Sequence, residues 1–276
     1  MCLDAIQKAK LPPETRIVVL DNNSTDRSCE IAAKYQCEVV RKKCTQPEAL
    51  SWLLAKSDAE FTLLIHADVM LLNPNWFSMC RSHTSETCIL VSPEDIGCGP
   101  FTRPFGQRMP ESSFMFFLTE SAKRISTVNR GGRLGRWLRR REFDFFGPHV
   151  THRIPELLAR FHKTWKPLNV LMSPISATPV YSPTVRPMVW SDEMSILKYG
   201  LGNFYALDGE VTHYHNWYDR ISAVPVHSGT GTIEQDGKGF SVDYIRKCSA
   251  NFKSDYWSNT LDIPDAATPP RIPRLL

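Results

Sequence analysis

Short apolar runs alternate with amphipathic stretches through the first third of the chain. Residues 16–20 and 38–41 are rich in β-branched side chains, which is typical of short strands. Residues 1–10, 27–36 and 48–57 carry apolar side chains at helical spacing. Strands that alternate with helices in this way predict an α/β domain whose sheet is mostly parallel, with helices on its faces.

The longest apolar run, residues 61–72, is interrupted only by His66-Ala67-Asp68. We expect a strand buried on both faces, as in a parallel sheet. A carboxylate at the carboxyl end of such a strand lies where open α/β sheets bind their ligands. Asp21 ends the run at 16–20 in the same way, so Asp21 and Asp68 are predicted to face one crevice. The alternative is that each aspartate only makes a turn or caps a helix.

The remainder of the chain is less regular. We predict one domain with a first half at residues 1–92, a second half at 93–261 and an extended or disordered tail at 262–276, which has four prolines. Prolines and glycines make residues 93–112 a long loop. The other predicted elements are a helix at 191–199 and strands at 88–92, 203–207 and 211–215.

Composition indicates an ordinary globular protein but does not identify a binding partner. The 276 residues are 42% hydrophobic and 22% charged, with a net charge of +4, as in an ordinary globular domain. No apolar run approaches the roughly 20 residues that span a bilayer, and residues 1–10 lack a secretory signal core. Eight cysteines without a C-x-x-C pair favour reduced thiols over a zinc site. We therefore expect a cytoplasmic protein, with peripheral membrane association as the alternative.

Several side chains could carry chemistry. The hard carboxylate oxygens of Asp68 suit Mg²⁺ or Mn²⁺, and Asp21 could accept hydrogen bonds from a nucleobase. His213 and His215 share one face of a predicted strand, either as metal ligands or as core histidines. Residues 191–193, Ser-Asp-Glu, open a predicted helix, where a carboxylate is stabilised and where a plain helix cap is the alternative.

Four segments together resemble family 2 glycosyltransferases of the GT-A fold. Residues 17–26, IVVLDNNSTD, are similar to that family's V-V-D-D/N-G-S-T-D segment, and residues 48–55 and 59–68 are similar to its helix and D-x-D strand. Residues 191–194 and 209–213 resemble its later E-D segment and valine–histidine strand. The resemblance implies a Rossmann-like GT-A sheet, with a nucleotide-sugar-binding half at 1–92 and a less regular acceptor-binding and catalytic half at 93–261.

The resemblance also implies roles for single residues. Asp21 would contact the nucleotide base, with Asn23, Ser24, His66 and Ala67 also at the donor. The metal, Mn²⁺ or Mg²⁺, would be bound by Asp68 and by His213 or His215, and would bridge the two phosphates. Asp192, or Glu193, would deprotonate the acceptor hydroxyl. The implied reaction is an inverting transfer from a nucleotide-diphosphate sugar to a glycan, a lipid-linked glycan or modified DNA.

Three departures from the family pattern keep other functions open. The usual first strand, with its Pro-x-Tyr/Phe-Asn segment, is missing before Met1, His66 stands for the first Asp of D-x-D, and Ser51 stands for a usual Asn. The missing first strand and His66 favour a catalytically inactive GT-A-like module that binds sugar or nucleic acid. A nucleotidyltransferase is a weaker alternative, because no Gly-rich, Lys-bearing phosphate loop is found near the start.

The basic segment 123–141 has eight Lys or Arg and no acidic residue. It could be a solvated surface, contact the donor diphosphate, bind DNA as an anionic acceptor, or lie at a membrane near a lipid-linked acceptor.

Overall fold

The computed structural model describes residues 1–94, 109–128, 151, 153–172, 198–199, 202–216, 232–235 and 238–266. Its helices are α1 (Cys2–Lys8), α2 (Ser28–Lys34), α3 (Gln46–Lys56), α4 (Trp76–Ser82), α5 (Thr119–Val128), α6 (Ile154–Arg160) and α7 (Val242–Ser258). Its strands are β1 (Val18–Asp21), β2 (Glu38–Arg41), β3 (Phe61–Ile65), β4 (Val69–Leu71), β5 (Cys88–Pro93), β6 (Phe114–Leu118), β7 (Thr164–Met172), β8 (Asn203–Leu207), β9 (Glu210–His215), β10 (Thr232–Gln235) and β11 (Lys238–Ser241).

The α/β class is confirmed, but the strand pairing differs from the prediction. β1 and β2 form a parallel pair of their own, and a seven-stranded sheet has the order β3-β6-β5-β7-β8-β9-β4. Within that larger sheet only β5 and β7 pair in parallel. The expectation of a mostly parallel sheet was therefore wrong. Strands joined without a crossover helix, as β8 and β9 are, must return antiparallel.

The predicted strand at 61–72 is two strands at opposite ends of the seven-stranded order. β3 pairs with β6, β4 pairs with β9, and only His66, Ala67 and Asp68 connect β3 to β4. Three residues span roughly 10 Å at most, so the sheet must curve until its two ends meet at this link. In β3 only Leu64 is fully buried, so the prediction of a strand covered on both faces was wrong. β3 is an end strand of the order, which explains its partial exposure.

Asp21 and Asp68 do not end neighbouring strands of one sheet, because β1 and β3 belong to different sheets. The first turn of α3 connects the two regions instead. Asn22 Oδ1 accepts a hydrogen bond of 2.8 Å from the backbone N–H of Cys44, two residues before α3. Gln46, the first residue of α3, contacts the His66 side chain.

The core lies on both faces of β6, whose side chains alternate between two apolar clusters. Phe114 and Phe116 pack with Trp76 and with the aromatic group of Tyr199, Phe204, Tyr214 and Phe252. Met115 and Phe117 pack on the other face against α3, β5, α5 and α6, through residues that include Leu54, Ile89, Ile125 and Leu157. The period of two along a strand accounts for this division.

A two-residue turn sets the register of β8 and β9. Asp208 and Gly209 both have positive φ angles, 51° and 83°, as a tight hairpin turn between right-twisted strands requires. Thr212 is an extra residue in β9, and its hydroxyl donates a 3.0 Å hydrogen bond to the Tyr205 carbonyl. Because a slip of one residue would turn every side chain to the other face, this hairpin decides where His213 and His215 point.

The early elements were predicted to within a few residues, and the later strands β5, β8 and β9 to within one residue. β7, α6, α7 and the β6–α5 pair were not predicted, although Pro155 at the start of α6 is a helix signal. The tail begins against the protein, with Ala266 buried and the Asp262 N–H donating to the Tyr199 hydroxyl at 2.8 Å. Among the described helices, none has the length and apolar composition needed to cross a bilayer.

Some predictions fall outside the described residues. They are most of the loop at 93–112, the basic segment beyond α5, residues 191–197 of the predicted helix, and residues 267–276 of the tail.

Candidate metal centre

Two histidines and one aspartate converge where the ends of the curved sheet meet. His66 and Asp68 belong to the link between β3 and β4, and His215 is the last residue of β9. His215 Nε2 lies 3.4 Å from Asp68 Oδ1, and His66 Nδ1 lies 4.0 Å from the same oxygen. One ligand atom from each of the three residues lies within 4.8 Å of the other two.

The backbone around the link explains this convergence. The His66 N–H donates to the Ser113 carbonyl at 2.9 Å, which extends the pairing of β3 with β6. The Asn216 N–H donates to the Asp68 carbonyl at 3.0 Å, which extends the pairing of β4 with β9. Non-local strand pairing on both sides therefore holds the link, and the pairing of β4 with β9 brings His215 beside it.

An outer group contacts the far nitrogen of each histidine. Gln46 Nε2 lies 2.9 Å from His66 Nε2 and 3.1 Å from Ser112 Oγ. The Gln46 amide nitrogen donates to the Ser112 hydroxyl. For His66 Nδ1 to bind an ion, Nε2 must carry the ring proton, which the Gln46 amide oxygen would accept in the opposite amide orientation. Partners of this kind on the outer nitrogen are usual for metal-binding histidines.

His215 is held between two carboxylates. Its Nδ1 lies 2.9 Å from Glu111 Oε1, and its Nε2 faces Asp68. Burial alone would lower the pKa of His215, but Glu111 and Asp68 raise it above its ordinary value. Burial alone would raise the pKa of Glu111, but the charge of His215 and hydrogen bonds from His215 and Tyr205 lower it. The cluster therefore has the electrostatics of a site that attracts positive charge.

The residues fit a divalent metal ion. At a metal–ligand distance of about 2.1 Å, neighbouring ligand atoms lie about 3.0–3.4 Å apart, so the 3.4 Å pair needs no change and His66 needs a small one. The His66 and Asp68 side chains keep 13% and 14% of their exposure, while the His66 Nδ1, Asp68 Oδ1 and His215 Nε2 atoms that face one another are themselves buried. Two imidazoles and one carboxylate are a donor set that suits transition ions.

His213 lies apart from this cluster. Its ring is stacked between Phe114, at a centroid distance of 4.5 Å, and Tyr205, at 4.7 Å. Its Nδ1 is 3.0 Å from the Thr212 hydroxyl, and burial lowers its pKa to about 3. Of the two histidines predicted as metal ligands, the structure thus brings His215 to Asp68 and packs His213 in the core as a neutral ring.

Asp21 organises the loop that follows β1. Its two carboxylate oxygens accept from the Ser24 N–H at 3.1 and 3.2 Å, and Arg41 Nε lies 3.3 Å from one of them. The hydrogen bonds from Ser24 and the charge of Arg41 hold the pKa of Asp21 below its ordinary value. Asp21 does not cap α2, because Arg27 is the N-cap residue and Asp26 accepts from the Ser28 N–H.

The other predicted site residues fall into two groups. Asn23 is exposed with a positive φ of 60°, and Ala67 is exposed between His66 and Asp68. Ser24 also accepts a hydrogen bond from Arg41 through its carbonyl. Asp192 and Glu193, predicted as catalytic bases, lie outside the described residues.

Sequence reasoning missed Gln46 and Glu111. Glu111 lies in a stretch predicted only as a loop, and Gln46 precedes a predicted helix. Neither residue belongs to a local motif, so only the fold reveals their contacts with the histidines.

Two comparisons with known proteins found similarities to this chain. The profile of glycosyl transferase family 2 matches residues 1–145, which include His66, Asp68 and Glu111. A mannosyltransferase from Pyrobaculum calidifontis, solved in complex with GDP-mannose and Mn²⁺, aligns with 17% sequence identity and a TM-score of 0.36. The alignment covers 45% of this chain and 41% of the mannosyltransferase chain. No protein of curated function matches the chain.

Proposed function

The chain belongs to glycosyl transferase family 2, and from that premise we propose that it transfers a glycosyl group from a nucleotide-diphosphate sugar to an acceptor hydroxyl. In this proposal a divalent transition ion such as Mn²⁺ is held by His66, Asp68 and His215. The bound ion would neutralise charge on the diphosphate leaving group. Two imidazole nitrogens favour a transition ion over Mg²⁺, which prefers an all-oxygen environment.

One observation carries the proposal: the D-x-D position of the family is occupied here by H-x-D, and both side chains meet a third ligand, His215. The change from Asp to His thus exchanges one ligand type for another and does not remove a ligand from the cluster. This supports an active metal centre over the alternative of an inactive binding module, which the loss of the first aspartate had favoured.

The chain's own residues would have separate tasks. Asp21, at the end of β1, would accept a hydrogen bond from the nucleotide base. Asn23, Ser24 and Ala67 would border the donor. Asp192 or Glu193 would take the proton from the acceptor hydroxyl, opposite the leaving group, which gives inversion.

The test is release of nucleoside diphosphate from a panel of nucleotide sugars. We expect release in the presence of Mn²⁺, loss of release with EDTA and recovery when Mn²⁺ is restored. Asp68→Asn should lower the rate about a hundredfold or more, because the ion loses its only carboxylate in the cluster.

Asp58→Asn is the matched control, since Asp58 is exposed and pairs only with Arg16 in the described structure. Its rate should equal that of the unmodified protein. Turnover that is insensitive to EDTA and to Asp68→Asn would refute the metal-dependent mechanism. Binding of a nucleotide sugar without turnover and without ion dependence would favour the inactive module.

A further inference from the structure

We propose that Glu111 is a positioning residue of the metal centre: its carboxylate holds His215 in the tautomer whose Nε2 faces Asp68. The inference rests on the proposed function, because it assigns Glu111 a role only if an ion binds to His66, Asp68 and His215. No motif of the sequence points to Glu111, which immediately precedes the Ser-Ser pair leading into β6.

The geometry of the imidazole carries the argument. Glu111 Oε1 lies 2.9 Å from Nδ1 of His215, while Asp68 Oδ1 lies 3.4 Å from Nε2 of the same ring. A carboxylate accepts only, so Nδ1 must bear the proton in this contact. Nε2 can then give its lone pair to a cation beside Asp68. The imidazole of His215 thus lies between the Glu111 carboxylate and the proposed metal position.

Glu111 is itself fixed from three directions. The Tyr205 hydroxyl donates to Glu111 Oε2 at 2.6 Å, which leaves Oε1 for His215. The backbone N–H of Glu111 donates to the Pro93 carbonyl at 2.8 Å, and the Ser92 hydroxyl donates to the Glu111 carbonyl at 2.9 Å. Because its backbone is bonded to β5 and its carboxylate to β8, Glu111 has little freedom to turn away from His215.

Tyr205 extends this support into the core. Its ring stacks on His213, which in turn stacks on Phe114. Both Tyr205 and His213 are fully buried, so their rings cannot move without disturbing the packing. The neutral His213 therefore belongs to the support of the site, through Tyr205 and Glu111.

Burial makes the contact more than a surface ion pair. The His215 side chain keeps 5% of its exposure and that of Glu111 keeps 19%. Groups so far from solvent need fixed partners, and removing one partner leaves the other unsatisfied. A purely structural ion pair would nevertheless affect folding alone, whereas a positioning role predicts an effect on metal binding.

The experiment measures Mn²⁺ affinity of the full chain by calorimetry and by electron paramagnetic resonance of free Mn²⁺. Glu111→Gln should weaken binding about 10–100-fold, the usual effect of losing an outer partner of a metal-binding histidine. Glu111→Asp keeps the charge but shortens the reach, so it should weaken binding as well. If only the charge mattered, Glu111→Asp would bind as the unmodified protein does.

Glu210→Gln is the control, because Glu210 is an exposed carboxylate on the same strand as His215 and contacts Asn73. Its Mn²⁺ affinity should be unchanged. Affinity of Glu111→Gln and Glu111→Asp within about twofold of the unmodified protein would overturn the inference, since outer-shell losses are larger. Failure of the unmodified protein to bind Mn²⁺ would instead overturn the metal centre itself.

A second measurement does not depend on any variant folding. In ¹⁵N-histidine NMR spectra of the unmodified protein titrated with diamagnetic Zn²⁺, the His215 Nε2 resonance should shift to a metal-bound value while Nδ1 keeps its proton. Coordination through Nδ1, with the proton on Nε2, would show that Glu111 does not set the tautomer.

Discussion

The Gln46 side chain lies 2.9 Å from Nε2 of His66, and this contact joins the first turn of α3 to the link between β3 and β4. The same helix start lies beside the Asp21 loop, because Asn22 Oδ1 accepts from the Cys44 N–H. The proposed base-binding loop and the proposed metal centre thus flank one helix N-terminus, although they belong to different sheets.

Gln46→Leu removes the outer partner of His66. We expect Mn²⁺ affinity to fall by about tenfold, the low end of the range for such partners, because Gln46 is exposed. Gln46→Glu places a carboxylate acceptor beside Nε2 of His66, which favours a proton on Nε2 and leaves Nδ1 to the ion, so this variant should retain affinity. Equal affinity of the Leu variant and the unmodified protein would exclude a role for Gln46. Calorimetric titration with Mn²⁺ measures all three proteins.

His66→Asp replaces an imidazole ligand with a carboxylate and restores the family's D-x-D pattern. Harder oxygen ligands favour Mg²⁺, so the ratio of Mn²⁺ to Mg²⁺ affinity should fall, on the order of tenfold. Competition of Mg²⁺ against bound Mn²⁺ measures the ratio. An unchanged ratio would mean that His66 does not contact the ion.

Gly202→Ala should destabilise the fold. A Cβ at this position would lie 1.9 Å from the Tyr214 hydroxyl oxygen. Tyr214 cannot move aside easily, because its ring stacks on Phe252 at 4.1 Å and its hydroxyl donates to the Tyr199 carbonyl at 2.9 Å. We expect a loss of about 1–3 kcal/mol in the free energy of unfolding, the usual cost of overpacking. Urea denaturation measures it.

Ser254→Ala is a suitable control for Gly202→Ala, because Ser254 is exposed on the last turns of α7. Its unfolding midpoint should stay close to that of the unmodified protein. A Gly202→Ala midpoint equally close to it would show that the Tyr214 ring is free to shift.

The Asp21 carboxylate should make the stability of the fold depend on pH. Its pKa is lower in the folded protein than in the unfolded chain, so the folded state gains stability above the unfolded value, about pH 4. That contribution is lost as the pH falls through the folded pKa. Asp21→Asn should therefore be less stable than the unmodified protein at pH 7, with a gap that narrows towards pH 3. Urea unfolding at both pH values measures the gap, and a constant gap would contradict the assignment.

The sequence was most informative where structure is local. β1, α2, β2 and α3 follow from the spacing of apolar side chains, and β1 and β2 pair in parallel as expected. The spacing could not separate β3 from β4, because an apolar run has the same pattern in one long strand as in two strands joined by a short link. It also could not show the antiparallel order of the larger sheet, which depends on pairings between distant segments.

The candidate metal centre, like the fold, could be predicted from the sequence only in part. Asp68 and His215 were identified as candidate ligands from residue type and position, and the structure brings them together. His66, which was predicted to lie at the donor, also lies beside Asp68 and His215. His213, on the same strand as His215, packs between two rings. Alternation along a strand gives these two histidines one face, but it does not say what that face touches.

By itself, the amino-acid sequence determined the early helices and strands, the family resemblance and the residue types available for an ion, since these depend on neighbours along the chain. Only the tertiary structure decided that His66, Asp68 and His215 meet. It also decided that Gln46 and Glu111 contact the outer nitrogens of the two imidazoles. The physical reason is that strand pairing and sheet curvature join residues that are far apart in the chain, such as Asp68 and His215, and no local pattern records which of them will touch.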